Sequence, residues 1–206
     1  MHKEIQKLLK DSRGSHDLDH TMRVHALCLH IGKIEKANMK ILEAAALLHD
    51  IARPQEDKEK GRVCHAELGA KMAAKILQKN NYNPDEIDQI SHCIATHRFR
   101  GKLKPESLEA RILFDADKLD SIGAVGIGRT FLFAGEIGAK LHNKGIDIAK
   151  TKPYTKEDTA YREFMIKLRH ISSRMLTREG KRLAKNRHKF MVDFFKRLDH
   201  EISGEL

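Results

Sequence analysis

A histidine and an aspartate stand side by side at the end of an apolar helical stretch. Residues 44–48 are five apolar helix formers, His49 and Asp50 follow them, and Pro54 closes the helix. We expect so apolar a helix to be buried, and a buried carboxylate is normally paired, neutralised or bound to a metal because an unpaired buried charge is too costly. Imidazole and carboxylate form a natural nitrogen and oxygen pair for a divalent cation. The pair therefore predicts a metal site.

Two more candidate ligands lie on other predicted helices. His20 heads an apolar stripe at helical spacing, which predicts that it faces the core; its other members are Val24, Leu27, Ile31 and Ile34. Asp117 shares one face of an apolar helix with Ala110, Leu113 and Asp120. Two inward carboxylates need a cation or hydrogen-bond donors nearby, which strengthens the prediction of a metal.

The four candidate ligands are two imidazoles and two carboxylates without a thiolate: His20, His49, Asp50 and Asp117. This donor set suits Mn²⁺, Fe²⁺, Co²⁺ or Ni²⁺, with Zn²⁺ and Mg²⁺ also open, and we favour Mn²⁺. Coordination positions left for water and substrate would allow hydrolysis, because a metal lowers the pKa of its bound water by several units.

Composition narrows the class of protein. The 206 residues are 40% hydrophobic and 33% charged, and no apolar run approaches the roughly 20 residues that span a bilayer. The N-terminus lacks the apolar core of a signal peptide, so we expect a cytoplasmic protein with no membrane contact. The net charge of +10 fits nucleic acid or small phosphorylated compounds. Aromatic residues make up only 5%, which leaves little for base stacking and favours the small compounds.

The patterns predict a chain that is almost entirely helical. Helices are expected at about 2–11, 15–37, 40–50, 65–80, 84–97, 106–122, 123–138, 155–175 and 177–201, with Ser15 and Asp17 as N-cap candidates for the second and Asn83 before the fifth. The charged segment 53–64 is expected to be a loop, either a lid or a solvated connection. We expect one all-α domain over 1–206, with a metal-binding core at about 15–123 and C-terminal helices at about 155–203 packed on it.

These residues resemble a known family. His20, the His49 and Asp50 pair, and Asp117 match the H…HD…D pattern of the HD-domain metal-dependent phosphohydrolase superfamily. The chain is most similar to its small stand-alone bacterial and archaeal hydrolases, and the matching segments are 15–24, 45–51, 65–70, 112–123 and 187–191. The resemblance implies an all-α HD-domain helical bundle, one metal held by the four ligands, and hydrolysis of a phosphate ester or anhydride. Some relatives cleave nucleoside triphosphates to monophosphate and pyrophosphate, and others are 5′-nucleotidases or phosphodiesterases.

One position departs from the family pattern. The nucleotidase branch has a glutamate three residues after the HD aspartate, positioned to activate water, whereas this chain has Arg53 there. A plain 5′-nucleotidase mechanism is therefore not expected, and the catalytic carboxylate is assigned to Asp120, with Glu67 as the alternative.

Further site residues are predicted around the metal. His65 and His97 should face the core side of their helices, and binuclear HD enzymes use additional histidines from this region. A single metal with both histidines on the phosphate is favoured over a second metal. Arg23, one helical turn after His20, and Lys118, next to Asp117, are predicted to bind and neutralise phosphate during catalysis. The alternative for both is a salt bridge to a neighbouring acid.

The sequence therefore predicts a divalent-metal phosphohydrolase that acts on a nucleotide or a similar small phosphorylated compound by attack of metal-activated water. The alternative is a non-catalytic, metal-stabilised module that binds nucleotides or RNA. A small phosphorylated substrate is the expected partner, nucleic acid is not favoured, and a homodimer stays open.

Overall fold

The computed structural model describes residues 18–59, 61–98, 103–143 and 145–206, and every regular element within these ranges is a helix. This confirms the predicted all-α class. The α-helices are α1 (Leu18–Glu35), α2 (Met39–Leu48), α3 (Arg53–Lys58), α4 (His65–Lys79), α5 (Pro84–Thr96), α6 (Leu108–Leu119), α7 (Gly123–Glu136), α8 (Ala160–Ile166) and α9 (Arg178–Ser203). Short 3-10 helices cover Ile148–Lys150, Leu168–His170 and Ser172–Arg174. The helix predicted at 2–11 and the N-cap candidates Ser15 and Asp17 lie outside the described residues.

The described chain falls into two compact units. The first contains the described residues up to Asp117 together with Leu176–Glu179, and the second contains Lys118–Met175 and Gly180–Leu206. A single domain over 1–206 and the packing of the C-terminal helices on the core remain predictions. No helix in the described part of the chain is long and apolar enough to cross a membrane.

The first unit is built around α2. This helix packs against α1 and α5, and α4 packs against both α3 and α5. From Ala44 to Leu48 every side chain of α2 is buried, which confirms the burial expected from the apolar stretch. Such burial stabilises a helix by about 25 cal/mol for each Å² of apolar surface removed from water. The His49 and Asp50 pair at its end is therefore carried into the interior.

Local signals set most helix ends near their predicted positions. Asn83 and Glu86 form a reciprocal capping box at the start of α5, where Pro84 occupies the first turn as predicted. Asn38 accepts a hydrogen bond from Ile41 N at the start of α2. On α1, His20, Val24 and Ile31 are buried as predicted. Ile34 is 40% exposed, so the buried stripe ends one turn earlier than the pattern suggested.

Two predicted segments are wrong. The expected loop at 53–64 begins with α3, because Pro54 suits the first turn of a helix as well as it stops the preceding one. The helix expected at 155–175 is broken: α8 begins after its N-cap Thr159, and two short 3-10 helices follow it. Asp158 precedes the cap, and its carboxylate accepts hydrogen bonds from Arg162 Nη1 at 2.7 Å and from Tyr154 N at 2.7 Å.

Close packing of the second unit requires glycine near the start of α7. A Cβ at Gly126 would lie 2.2 Å from the carbonyl oxygen of Ser121. Gly123 has a φ of +77°, which favours glycine. A side chain at either position would therefore be strained or would collide with its neighbours. In the same unit, Phe195 stacks with both Phe131 and Phe164.

A buried carboxylate organises the segment before α9. Asp115 on α6 is fully buried and accepts hydrogen bonds from Leu176 N at 2.9 Å, Thr177 N at 2.8 Å and Thr177 Oγ1 at 2.7 Å. All of these residues belong to the first unit. Asp115 thus ties the segment 176–179 to that unit, together with the hydrogen bond from Glu179 N to the side chain of Glu35 at 2.7 Å.

Replacement of Asp115 by alanine should destabilise the protein strongly. Asp115→Ala leaves two backbone N–H groups without their acceptor, and we expect the free energy of unfolding to fall by about 4 kcal/mol in urea titrations. Thr177→Val removes only the hydroxyl contact and should cost about 1 kcal/mol. Equal losses in the two variants would contradict the role given to the carboxylate.

Candidate metal centre

The end of α2 fixes the orientation of His49. This residue is the C-cap of the helix, and its Nδ1 donates a hydrogen bond to the carbonyl oxygen of Ala46 at 2.8 Å. Because a carbonyl oxygen can only accept, Nδ1 carries the proton, and Nε2 of the neutral ring bears the lone pair. His49 is fully buried, and its Nε2 has no hydrogen-bond partner within the described ranges. An orphaned imidazole nitrogen of this kind fits a metal ligand.

The four predicted metal ligands come together in the first unit. Nε2 of His20 lies 3.4 Å from Asp117 Oδ1 and 3.6 Å from Asp50 Oδ2, and Nε2 of His49 lies 3.8 Å from the same oxygen of Asp50. The ligand atoms of His20, His49 and Asp117 are all within 4.8 Å of one another. Atoms that surround one cation at about 2.1 Å are about 3–4 Å apart. These side chains can therefore hold a divalent metal.

The other oxygen of Asp50 faces a second group of ligand atoms. Oδ1 lies 3.1 Å from His65 Nε2 and 3.6 Å from His97 Nε2, and the two Nε2 atoms are 3.1 Å apart. All three side chains are buried. Asp50 therefore lies between the two groups, with one carboxylate oxygen directed to each.

The rings of His97 and His65 are oriented by contacts of their Nδ1 atoms, in the same way as the ring of His49. His97 is the C-cap of α5 and donates from Nδ1 to the carbonyl oxygen of Ile94 at 2.6 Å. His65 is the first residue of α4, and its Nδ1 contacts a carboxylate oxygen of Glu56. In the neutral rings both Nε2 lone pairs are directed at Asp50 and at each other, which is unfavourable unless a positive charge lies between them.

Glu56 is a site residue that the sequence analysis missed. It lies on α3, inside the segment expected to be a lid or a solvated loop, and is 8% exposed. Its other oxygen accepts a hydrogen bond from Arg98 Nη1 at 2.6 Å. Burial alone would raise the pKa of Glu56, but hydrogen bonds from His65 and Arg98 more than offset it and hold the pKa below its usual value. No sequence signal separated this acid from its solvated neighbours.

Burial keeps His49 neutral. Desolvation lowers the pKa of His49 to about 4, with Asp50 opposing this shift and the nearby His97 and His20 rings adding to it. Metal ligation requires an unprotonated imidazole. His49 is therefore in the ligating state at neutral pH.

The remaining predicted residues lie in different settings. Arg23 is half-buried on α1, one turn from His20, and Lys118 is half-buried on α6 directly after Asp117. Their phosphate roles stay predictions. Asp120 is buried in the second unit and accepts a hydrogen bond from Arg129 Nη1 at 2.7 Å, an ion pair that the sequence analysis did not anticipate. Glu67, the alternative carboxylate, is exposed on α4.

Comparison with known proteins places this geometry in context. The HD domain family matches residues 17–122. The protein YpgQ of Bacillus subtilis is 36% identical over 204 residues, which cover 97% of this chain and 91% of that protein. Ribonuclease Y of Chloroflexus aurantiacus is 29% identical over 124 residues, which cover 58% of this chain and 22% of that protein.

Solved structures share the fold over nearly the whole chain. The crystal structure of Bacillus subtilis YpgQ in complex with ADP has a TM-score of 0.74 at 30% identity, covering 97% of this chain and 91% of that one. An HD-superfamily hydrolase from Bacillus thuringiensis has a TM-score of 0.73 at 28% identity, covering 98% of both chains.

The depressed pKa of His49 predicts a pH dependence of stability. Between about pH 6.5 and about pH 4 the unfolded chain binds a proton at this position and the folded chain does not, so the free energy of unfolding should fall as the pH falls through this window, by up to about 3 kcal/mol. Urea unfolding of the metal-free protein at several pH values measures this. His49→Gln should lose that part of the dependence, and an identical pH profile in the variant would contradict the assignment.

Proposed function

Because the chain belongs to the HD domain family, we propose that it is a divalent-metal-dependent phosphohydrolase acting on a nucleotide or a similar small phosphorylated compound. The observation that carries the proposal is the convergence of four imidazole rings and two carboxylates in one largely buried region: His20, His49, Asp50, His65, His97 and Asp117. Such a donor set attracts cations and has no other evident use in a stable core.

In the proposed site, His20, His49, Asp50 and Asp117 hold one metal ion. A divalent cation bound there supplies positive charge to the phosphate and lowers the pKa of coordinated water. Burial keeps His49 neutral, and the hydrogen bond from its Nδ1 to the carbonyl oxygen of Ala46 orients the ring. Mn²⁺ remains the favoured ion for two imidazoles and two carboxylates.

We further propose that Asp50, His65 and His97 hold a second cation. The sequence predicted phosphate contacts for these histidines. However, the Nδ1 proton of His97 is donated to Ile94 and that of His65 to Glu56, so the neutral rings present lone pairs, which repel phosphate oxygens and attract a metal. Asp50 would serve both groups of ligands, because Oδ2 lies near His20 and His49 and Oδ1 near His65 and His97.

A nucleotide is the proposed substrate class. The relative YpgQ has been crystallised with ADP, and the net charge of +10 favours phosphorylated ligands. Arg23 and Lys118 are the proposed phosphate-binding residues. Arg53 is directed elsewhere, because its Nη1 lies 3.3 Å from Glu56 and its Nε 3.6 Å from Asp57, both within α3. Asp120 is retained as the candidate proton acceptor.

An RNA-binding role is the second candidate. It is favoured by the partial similarity to Ribonuclease Y and by exposed basic side chains on α9, which include Lys181, Arg182 and Lys185. Binding of single-stranded RNA that weakens steeply with salt, without turnover of any nucleotide, would support it over the hydrolase.

Replacement of both His49 and Asp50 should abolish hydrolysis. Screening nucleoside mono-, di- and triphosphates with Mn²⁺, Mg²⁺, Co²⁺ and Ni²⁺ identifies the best substrate, and for it we expect His49→Ala/Asp50→Ala to lower kcat/KM by about 1,000-fold or more. His170→Ala changes an exposed histidine and should leave the rate unchanged. A double variant as fast as the wild type would overturn the hydrolase proposal.

The second cation predicts a stoichiometry. Calorimetric titration with Mn²⁺ should find two ions for each wild-type chain and one for His65→Ala/His97→Ala, because Asp50 then has only the His20 and His49 group to complete a site. A single bound ion in both proteins would contradict the second cation and would favour the phosphate-binding role that the sequence predicted for His65 and His97.

A further inference from the structure

We infer that Glu56 is a positioning residue, which fixes the ring of His65 so that Nε2 is directed at Asp50. That the His65 ring binds a metal rests on the proposed function, whereas the contact between Glu56 and His65 does not. Neither the family pattern nor the ligand set assigns this glutamate a role.

Glu56 receives donors from three parts of the first unit. His65 Nδ1 comes from the start of α4, Arg98 Nη1 at 2.6 Å from the residue after His97, and Arg53 Nη1 at 3.3 Å from the start of α3 itself. One buried carboxylate therefore holds His65 directly and the chain next to His97 through Arg98. A carboxylate with several donors stays ionised, in agreement with its lowered pKa.

The contact selects the tautomer of His65. An ionised carboxylate only accepts hydrogen bonds, so Nδ1 must carry the proton and Nε2 of the neutral ring must present the lone pair. Arg53 Nη1 also lies 3.4 Å from this Nδ1. A nitrogen that donates to Glu56 cannot accept from Arg53 at the same time, and the shorter contact with Glu56 decides between the two.

A structural ion pair alone does not account for this arrangement. Arg53 and Arg98 would be enough to neutralise the charge of Glu56. His65 is nevertheless the residue whose donor atom lies closest to the carboxylate. If the carboxylate were absent, His65 could place its proton on Nε2, and that N–H would point at Asp50 and His97 in place of a lone pair. Carboxylates that orient ligating histidines in this way typically contribute 10–100-fold to metal affinity.

The same contacts account for a basic residue at position 53, where the nucleotidase branch has an acid. The nucleotidase branch places an acid three residues after the HD aspartate, whereas here Arg53 is followed by the acid at position 56 and lies 3.3 Å from it. Glu56 therefore lies on the Nδ1 side of His65, opposite the Nε2 that is directed at Asp50.

Nitrogen NMR of the metal-free protein tests the contact itself. With ¹⁵N-labelled histidine, at an alkaline pH where the ring is neutral, wild-type His65 should show the Nδ1–H tautomer, and Glu56→Ala should shift it toward Nε2–H. Asp57→Ala is the matched control, because it removes a neighbouring acid that also pairs with Arg53 but does not contact His65. Glu56→Gln keeps the side-chain volume and one acceptor oxygen, and it should shift the tautomer less. An unchanged tautomer in Glu56→Ala would overturn the positioning role.

Mn²⁺ affinity tests whether the contact serves the metal. We expect Glu56→Ala to weaken Mn²⁺ binding by about 10–100-fold and Asp57→Ala to leave it unchanged. In a His65→Ala background, Glu56→Ala should weaken Mn²⁺ binding much less, because only the indirect contact through Arg98 is left to lose. An equal loss in both backgrounds would overturn the inference. Failure of the wild-type protein to bind Mn²⁺ would overturn the proposed function, while the NMR result would still stand, so the two failures are distinguishable.

Discussion

Imidazole lone pairs and carboxylate oxygens that meet in a buried space repel one another unless a positive charge lies between them. In the first unit, Asp50 is surrounded by His20, His49, His65 and His97 at 3.1–3.8 Å. Burial removes the water that would otherwise screen these groups, and it also lowers the pKa of His49 so that a proton is a poor substitute for a metal. The chemistry of the site therefore follows from one electrostatic requirement.

Helix ends provide the geometry that this requirement needs. His49 and His97 each occupy the C-cap of a helix and donate to the carbonyl oxygen three residues earlier, at 2.8 Å and 2.6 Å. Carbonyl groups in the last turn of a helix lack partners within it, so the same hydrogen bond satisfies the backbone and turns the ring inward. Since α2 packs against α5, the two rings come within 5.2 Å of each other, measured between centroids.

The sequence was most informative where burial and ligand chemistry coincided. His20, His49, Asp50 and Asp117 could be selected because apolar spacing predicted inward faces that polar groups would otherwise avoid. Glu56 could not, since a charged segment has the same composition whether its acids are solvated or folded inward against Arg98. The helix predicted at 155–175 was wrong for a related reason: the hydrogen bonds of Asp158 go to Arg162 and to the backbone of Tyr154. Tertiary contacts of this kind leave no local pattern.

The anchors of the three rings differ in how they respond to mutation. Ala46 and Ile94 hold His49 and His97 through backbone oxygens, so almost any side chain that keeps the helix intact preserves these anchors. The anchor of His65 is a side chain, and a single codon change removes it. Of the three anchors, that of His65 is therefore the one that a single substitution removes while every ligand remains in place. A change in the short helix after the HD pair can thus alter the metal centre without touching a ligand.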